Sequence, residues 1–124
     1  MKVAAVQLTS TGNITESQEL ALSKIREAAG NGARLIVLPE ATAQNFRSGR
    51  LDEQAQTLEG PFATAIQALA EELEVTVVAG MFCPADTVER EGKTINRVTN
   101  TALIAGPGVL GGYDKIHTYD AFDY

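Results

Sequence analysis

The run Leu35-Ile36-Val37-Leu38-Pro39-Glu40 holds four apolar residues in succession, closed by a proline and a carboxylate. Such a run suits a strand covered on both faces better than a half-exposed one. Pro39 lacks a backbone donor and stops the strand, which fixes the direction in which Glu40 leaves it. Similar runs lie on either side. Residues 3–8 (Val-Ala-Ala-Val-Gln-Leu) read as a buried first strand, and residues 75–82 as a third strand, again apolar on both faces.

Helical patterns separate these runs. After a polar turn at 9–13, Thr15 offers an N-cap, Gln18 completes a capping box, and Ile14 is available as a staple. Leu22, Ile25 and Ala29 recur at helical spacing up to the stop signal Gly30-Asn31-Gly32, so the pattern predicts a helix over 16–29. Gly60-Pro61 opens a second helix, with Phe62, Ile66, Leu69 and Leu73 along one face. The polar stretch 41–58 is expected to be a long functional loop on a pocket rim, with weak helix propensity in 52–58. Beyond it, Glu91-Gly92 and Gly106-Pro107-Gly108 are turns flanking the extended stretch 94–105, and 109–115 forms a last strand. These elements predict an antiparallel continuation of the sheet. Three strands apolar on both faces have only two helices to cover them, so one sheet face is expected to need a second sheet.

Composition narrows the function. The 124 residues suffice for one domain, and 44% hydrophobic with 21% charged residues is a globular balance. Sixteen acidic against ten basic residues give a net charge of −6, which argues against a nucleic-acid backbone or an anionic membrane as partner. No apolar run approaches a membrane span or a secretory signal, so a soluble, cytoplasmic protein is expected. The single cysteine excludes an internal disulfide and a cysteine zinc cluster.

Glu40 stands at the C-terminal end of a strand, the edge where open α/β sheets gather ligands and catalytic groups; the alternative is an exposed carboxylate or loop cap. In Tyr113-Asp114-Lys115-Ile116-His117, alternation puts Tyr113, Lys115 and His117 on one face. A lysine on an inward face must be paired, with Glu40 as the candidate partner, whereas on an edge strand it lies in water. Tyr113 and His117 are candidates for the pocket or its support, and His117 alone reads first as a hydrogen-bonded structural histidine. Cys83, just after the third strand with no histidine nearby to activate it, reads as structural. The glycine pairs match no phosphate-loop spacing, which disfavours a nucleotide-binding protein.

Residues 3–8, the stretch Gly32-Ala33-Arg34-Leu35-Ile36-Val37-Leu38-Pro39-Glu40, then Asn100-Thr101-Ala102-Leu103-Ile104 and Tyr113-Asp114-Lys115-Ile116-His117-Thr118 together resemble the nitrilase superfamily of carbon–nitrogen hydrolases. The resemblance runs through the whole chain in order. Arg34 and Thr118 depart from residues frequent in the family, without touching the chemistry. The resemblance implies half of an α-β-β-α sandwich in the α/β class, with a mixed sheet and two main helices on one face. It implies a Glu–Lys–Cys site in which Glu40 is the general base and Lys115 the oxyanion-stabilising cation. It further implies a small-molecule amide or nitrile substrate, no metal or cofactor, and a homo-oligomer when full length. In the family the nucleophilic cysteine follows the lysine by about thirty residues on a strand-to-helix elbow. Residues 1–124 are therefore expected to be the N-terminal part of a single hydrolase domain, inactive alone. The competing expectation is a non-catalytic half-domain that binds a partner through its exposed sheet face.

Overall fold

The computed structural model describes residues 1–115 and holds a five-stranded mixed sheet with two helices. The strands are β1 (Val3–Ala5), β2 (Leu35–Val37), β3 (Thr76–Arg90), β4 (Lys93–Gly106) and β5 (Val109–Asp114), and their order across the sheet is their order in the chain. β1, β2 and β3 are parallel; β3, β4 and β5 are antiparallel neighbours. Helices α1 (Ile14–Gly30) and α2 (Pro61–Leu73) make the two crossovers. Right-handed crossovers taken twice in the same direction put both helices on one face. There Ala21 and Ile25 of α1 and Phe62, Ile66, Leu69 and Ala70 of α2 close on Ile36, Val77, Ala79, Met81, Leu103 and Ala105 of the sheet. Fully burying a side chain such as Ile25 or Phe62 stabilises the fold by about 1.5–3 kcal/mol.

The first helix begins earlier than the sequence pattern predicts. Its N-cap is Asn13, not Thr15: Asn13 is extended, and its side chain accepts the Glu16 N–H at 3.0 Å. The face it buries is Ser17, Ala21 and Ile25, while Leu22 and Ala29 are half-buried. Its end falls in the glycine-asparagine stretch, where Gly32 takes φ +92°. The second helix matches its prediction, starting on Pro61 and burying Phe62, Ile66 and Leu69. No helix forms in 52–58, because its glutamines are engaged elsewhere. Gln54 accepts the Ile14 N–H and donates to the Gly12 carbonyl, and Gln56 accepts the Phe62 N–H.

β3 runs well past the predicted end at residue 82, so Cys83 lies inside the strand, paired with Thr99, rather than after it. An irregularity between Pro84 and Thr87 absorbs the proline, and Glu91-Gly92, both at positive φ, close the β3–β4 hairpin. The opposite sheet face is uncovered among the described residues over much of its area. This open face is the one expected from three strands apolar on both faces with only two helices: Val3 is 55% exposed on the edge strand, and Val37, Ile104 and Tyr113 are also exposed. One patch of that face is covered by the 41–58 loop, where Ala41 and Leu51 bury Phe82 and the Phe46 ring stands edge-on to Phe82 at 5.3 Å. Among the described residues no helix is long and apolar enough to cross a membrane.

Candidate active site

Backbone geometry brings Glu40 over the sheet. Beyond β2 the chain keeps pairing with β3: Leu38 N–H donates to the Val78 carbonyl, and Gly80 N–H to the Pro39 carbonyl. Ala43 N–H then donates to the Gly80 carbonyl at 3.1 Å, so residues 39–43 pass directly across Gly80. A Cβ at position 80 would lie 2.6 Å from Ala41 N and 2.8 Å from Glu40 Cα, which only glycine avoids. Ala41 adopts φ +59°, an uncommon conformation for a residue with a Cβ that costs of order 1–3 kcal/mol. The fold holds that strain at the residue next to Glu40.

The register across β3, β4 and β5 assembles the rest. Gly80 is opposite Ala102, which is opposite Tyr113; one row on, Phe82 is opposite Asn100, whose carbonyl accepts the Lys115 N–H at 2.9 Å. Glu40, Asn100 and Lys115 thus meet on the open face. Asn100 Nδ2 donates to Glu40 Oε1 at 2.6 Å, and Lys115 Nζ donates to the same oxygen at 3.2 Å. Among the described residues no donor reaches Glu40 Oε2. Glu40 and Lys115 follow the C-terminal ends of β2 and β5, which run in the same direction. The two side chains are 51% and 43% exposed, and a pair so open to water adds at most about 1 kcal/mol to stability. The cluster edges a cleft of about 270 Å³ whose floor and wall include Val78, Gly80, Ala102 and Tyr113.

Of the residues singled out from sequence, the structure brings Glu40, Lys115 and Tyr113 to one cleft, and the alternation of β5 is as predicted. The water-exposed and the paired readings of Lys115 hold together, since it follows an edge strand and still reaches Glu40. His117 lies outside the described residues. Cys83 shares the strand face of Met81 and Ala79, which the helices cover, and is packed half-buried against that core. It therefore lies on the other side of the sheet from Glu40. The sequence pattern does not single out Asn100 or Gly80 as site residues. Asn100 stands as one amide among Thr, Val, Ala and Ile, but only the strand register tells which carboxylate it faces. Among the described residues no group of three or more His, Cys, Asp or Glu side chains could hold a metal ion.

The loop that follows Glu40 carries a charge contact of its own. Arg50 forks onto Asp52, and that hydrogen bond holds the Asp52 carboxyl below the usual carboxylate range, against a smaller opposing effect of burial; Asn96 adds a second donor. The loop and the β3–β4 hairpin form the walls of a larger cleft, about 720 Å³, further along β4.

A carbon-nitrogen hydrolase family model matches residues 2–124. The chain belongs to the carbon–nitrogen hydrolase family. A protein from Mycobacterium tuberculosis named as a hydrolase is 38% identical to this carbon–nitrogen hydrolase chain over all of it, which is 42% of that protein. A deaminated glutathione amidase from Synechocystis is 36% identical, over 94% of this chain and 42% of that one. Among solved structures, an amidase from a Nesterenkonia species superimposes with a TM-score of 0.72 at 19% identity, over 96% of this chain and 44% of the amidase. A CN-hydrolase superfamily protein from Xanthomonas campestris gives 0.69 at 24% identity, over 90% and 38%. The carbon–nitrogen hydrolase chain thus spans about two fifths of the length of the relatives it matches. Its sheet and helices share their fold.

Proposed function

We propose that this chain carries the general base and the oxyanion-stabilising cation of an enzyme that hydrolyses non-peptide carbon–nitrogen bonds of small amides or nitriles. In this reading residues 1–124 are part of a single hydrolase domain, and the thiol nucleophile comes from outside them. The observation that carries the reading is the 3.2 Å contact between Lys115 Nζ and Glu40 Oε1 on the open face, beside a cleft with room for a small molecule. An exposed ion pair contributes little to folding, so its position at the cleft, held by a strained backbone and a required glycine, calls for another use.

The chemistry follows from the two charges. A thiol of ordinary pKa, about 8.5, is mostly protonated at neutral pH and needs a base. The Glu40 carboxylate takes that proton, and the sulfur attacks the amide carbonyl carbon. Lys115 keeps protons free beyond the one shared with Glu40 and stabilises the oxyanion that forms. Collapse of the tetrahedral intermediate breaks the C–N bond; the amine leaves with the proton held by Glu40, and a thioester remains. Water, deprotonated by Glu40, then attacks the thioester and releases the acid and the thiol. Cys83 does not serve as that thiol, because it lies across the sheet from Glu40. Alone, then, the chain is inactive. A Nesterenkonia amidase variant whose fold this chain shares is described with acrylamide joined by Michael addition to its active-site cysteine, a chemistry in keeping with a thiol nucleophile.

The exposed apolar residues Val37, Ile104 and Tyr113 favour a second reading, a non-catalytic half-domain that binds a partner through its open face. One experiment separates the two. The chain is mixed with the complementary segment of the Mycobacterium tuberculosis relative, and hydrolysis of simple amides is followed by amine release. The catalytic reading expects hydrolysis by the mixture only, lost with Glu40→Gln or Lys115→Met. Hydrolysis indifferent to Glu40→Gln, or hydrolysis by the chain alone that stops on alkylation of Cys83, overturns it.

A further inference from the structure

We infer that Asn100 is the positioning residue of this site: it sets the base against the cation and selects Oε2 of Glu40 as the oxygen that moves the proton. The inference rests on the reading of Glu40 as the base. Asn100 is tied to both charged residues at once. Its side-chain amide donates to Glu40 Oε1 at 2.6 Å, while its backbone carbonyl accepts the Lys115 N–H at 2.9 Å. One residue of β4 thus connects the segment after β2 to the segment after β5, although Glu40 and Lys115 are 75 positions apart in the chain. The amide must point its nitrogen at the carboxylate, because its oxygen there would face another acceptor.

Two donors converge on one oxygen. With Asn100 and Lys115 both on Oε1, that oxygen has its lone pairs engaged, and Oε2 is the one to which no protein donor reaches among the described residues. A base must offer a free lone pair to the proton it takes. The proton therefore passes through Oε2, while Oε1 stays anchored through both halves of the reaction. Lys115 alone does not give this outcome: an ammonium on a flexible four-carbon stem follows either oxygen, whereas a strand-borne amide one carbon from its backbone does not.

The test uses three variants. In 15N–1H spectra of the chain, Glu40→Gln should move the Asn100 side-chain amide pair, and an unmoved pair overturns the inference without any activity being needed. In the assembled enzyme, Asn100→Asp keeps the shape and removes the donor. It should lower kcat about 10- to 100-fold, as expected for a base displaced by about an ångström, with KM within about twofold. Asn100→Ala should do the same. If Glu40→Gln abolishes turnover while Asn100→Asp and Asn100→Ala keep the full kcat, the positioning role is refuted and the base stands. If Glu40→Gln leaves turnover intact, the base reading fails, and this inference with it.

Discussion

Replacing Gly80 with alanine tests whether the sheet itself seats the candidate base. The added methyl would lie 2.6 Å from Ala41 N, 2.8 Å from Glu40 Cα and 2.9 Å from Glu40 C, all backbone atoms with no side chain to swing aside. Relief to an ordinary contact near 3.4 Å needs the 39–41 backbone to retreat by roughly 0.8 Å. That retreat stretches the two hydrogen bonds of 3.1 Å that tie residues 39 and 43 to Gly80. Overpacking of this kind costs about 1–3 kcal/mol. Gly111→Ala is the matched control, since its Cβ would meet nothing within 4 Å and its φ is not positive. Urea titration should show the Gly80→Ala unfolding free energy lower by that amount, read as a lower midpoint at constant slope, with Gly111→Ala within about 0.5 kcal/mol of the parent. The Asn100 side-chain amide signal should shift in the first variant and stay in the second, because moving Glu40 lengthens their 2.6 Å bond. Equal stability of the two variants, with an unmoved amide, would refute the reasoning.

Three further outcomes are expected. Asn13→Ala should cost about 1 kcal/mol in denaturant unfolding while Thr15→Ala changes little, since Asn13 caps α1. Lys115→Met should alter unfolding free energy by less than about 1 kcal/mol, because its ion pair is half exposed, yet abolish turnover in the assembled enzyme. Asp52 has its folded-state pKa depressed by Arg50, so its contribution to stability is present above the unfolded-state value near 3.9 and is lost as pH falls through the folded-state value. Asp52→Asn should therefore weaken the loss of stability below about pH 4 in low-salt acid titrations, and an unchanged acid limb would count against the Arg50 contact.

The parts of this molecule legible in its sequence are those set by local pattern. The apolar run ending at Pro39 located Glu40, the two-residue alternation of the last strand set Tyr113 and Lys115 on one face, and Pro61 marked the start of α2. The misreadings arise where a hydrogen bond or a strand register, and not the residue pattern, decides the outcome. Both Asn13 and Thr15 are fit to cap α1, and the choice falls to the one whose oxygen reaches the Glu16 N–H. Residues 52–58 have helix-compatible composition, but the side chains of Gln54 and Gln56 satisfy backbone donors of α1 and α2 instead. Cys83 lies within β3 and not just after it, because a local irregularity between Pro84 and Thr87 lets the strand continue past the proline to Arg90. Asn100 is the instructive case. Its residue type was visible, but its partner depends on a register set by two hairpin turns and a bulge, a property of the assembled sheet.

Because strand order in space repeats strand order in the chain, this layer grows the way a zip closes. Each new strand needs only its predecessor as a template: the parallel pairs close over the helical crossovers, Val3 with Leu35 and Leu35 with Thr76, while β3, β4 and β5 pair through tight turns. The helix-covered core can be complete before β5 exists, and only the final hairpin carries Lys115 back to Glu40. Among the described residues the charged cluster thus rests on the core without belonging to it, a seal across a layer that holds together without it.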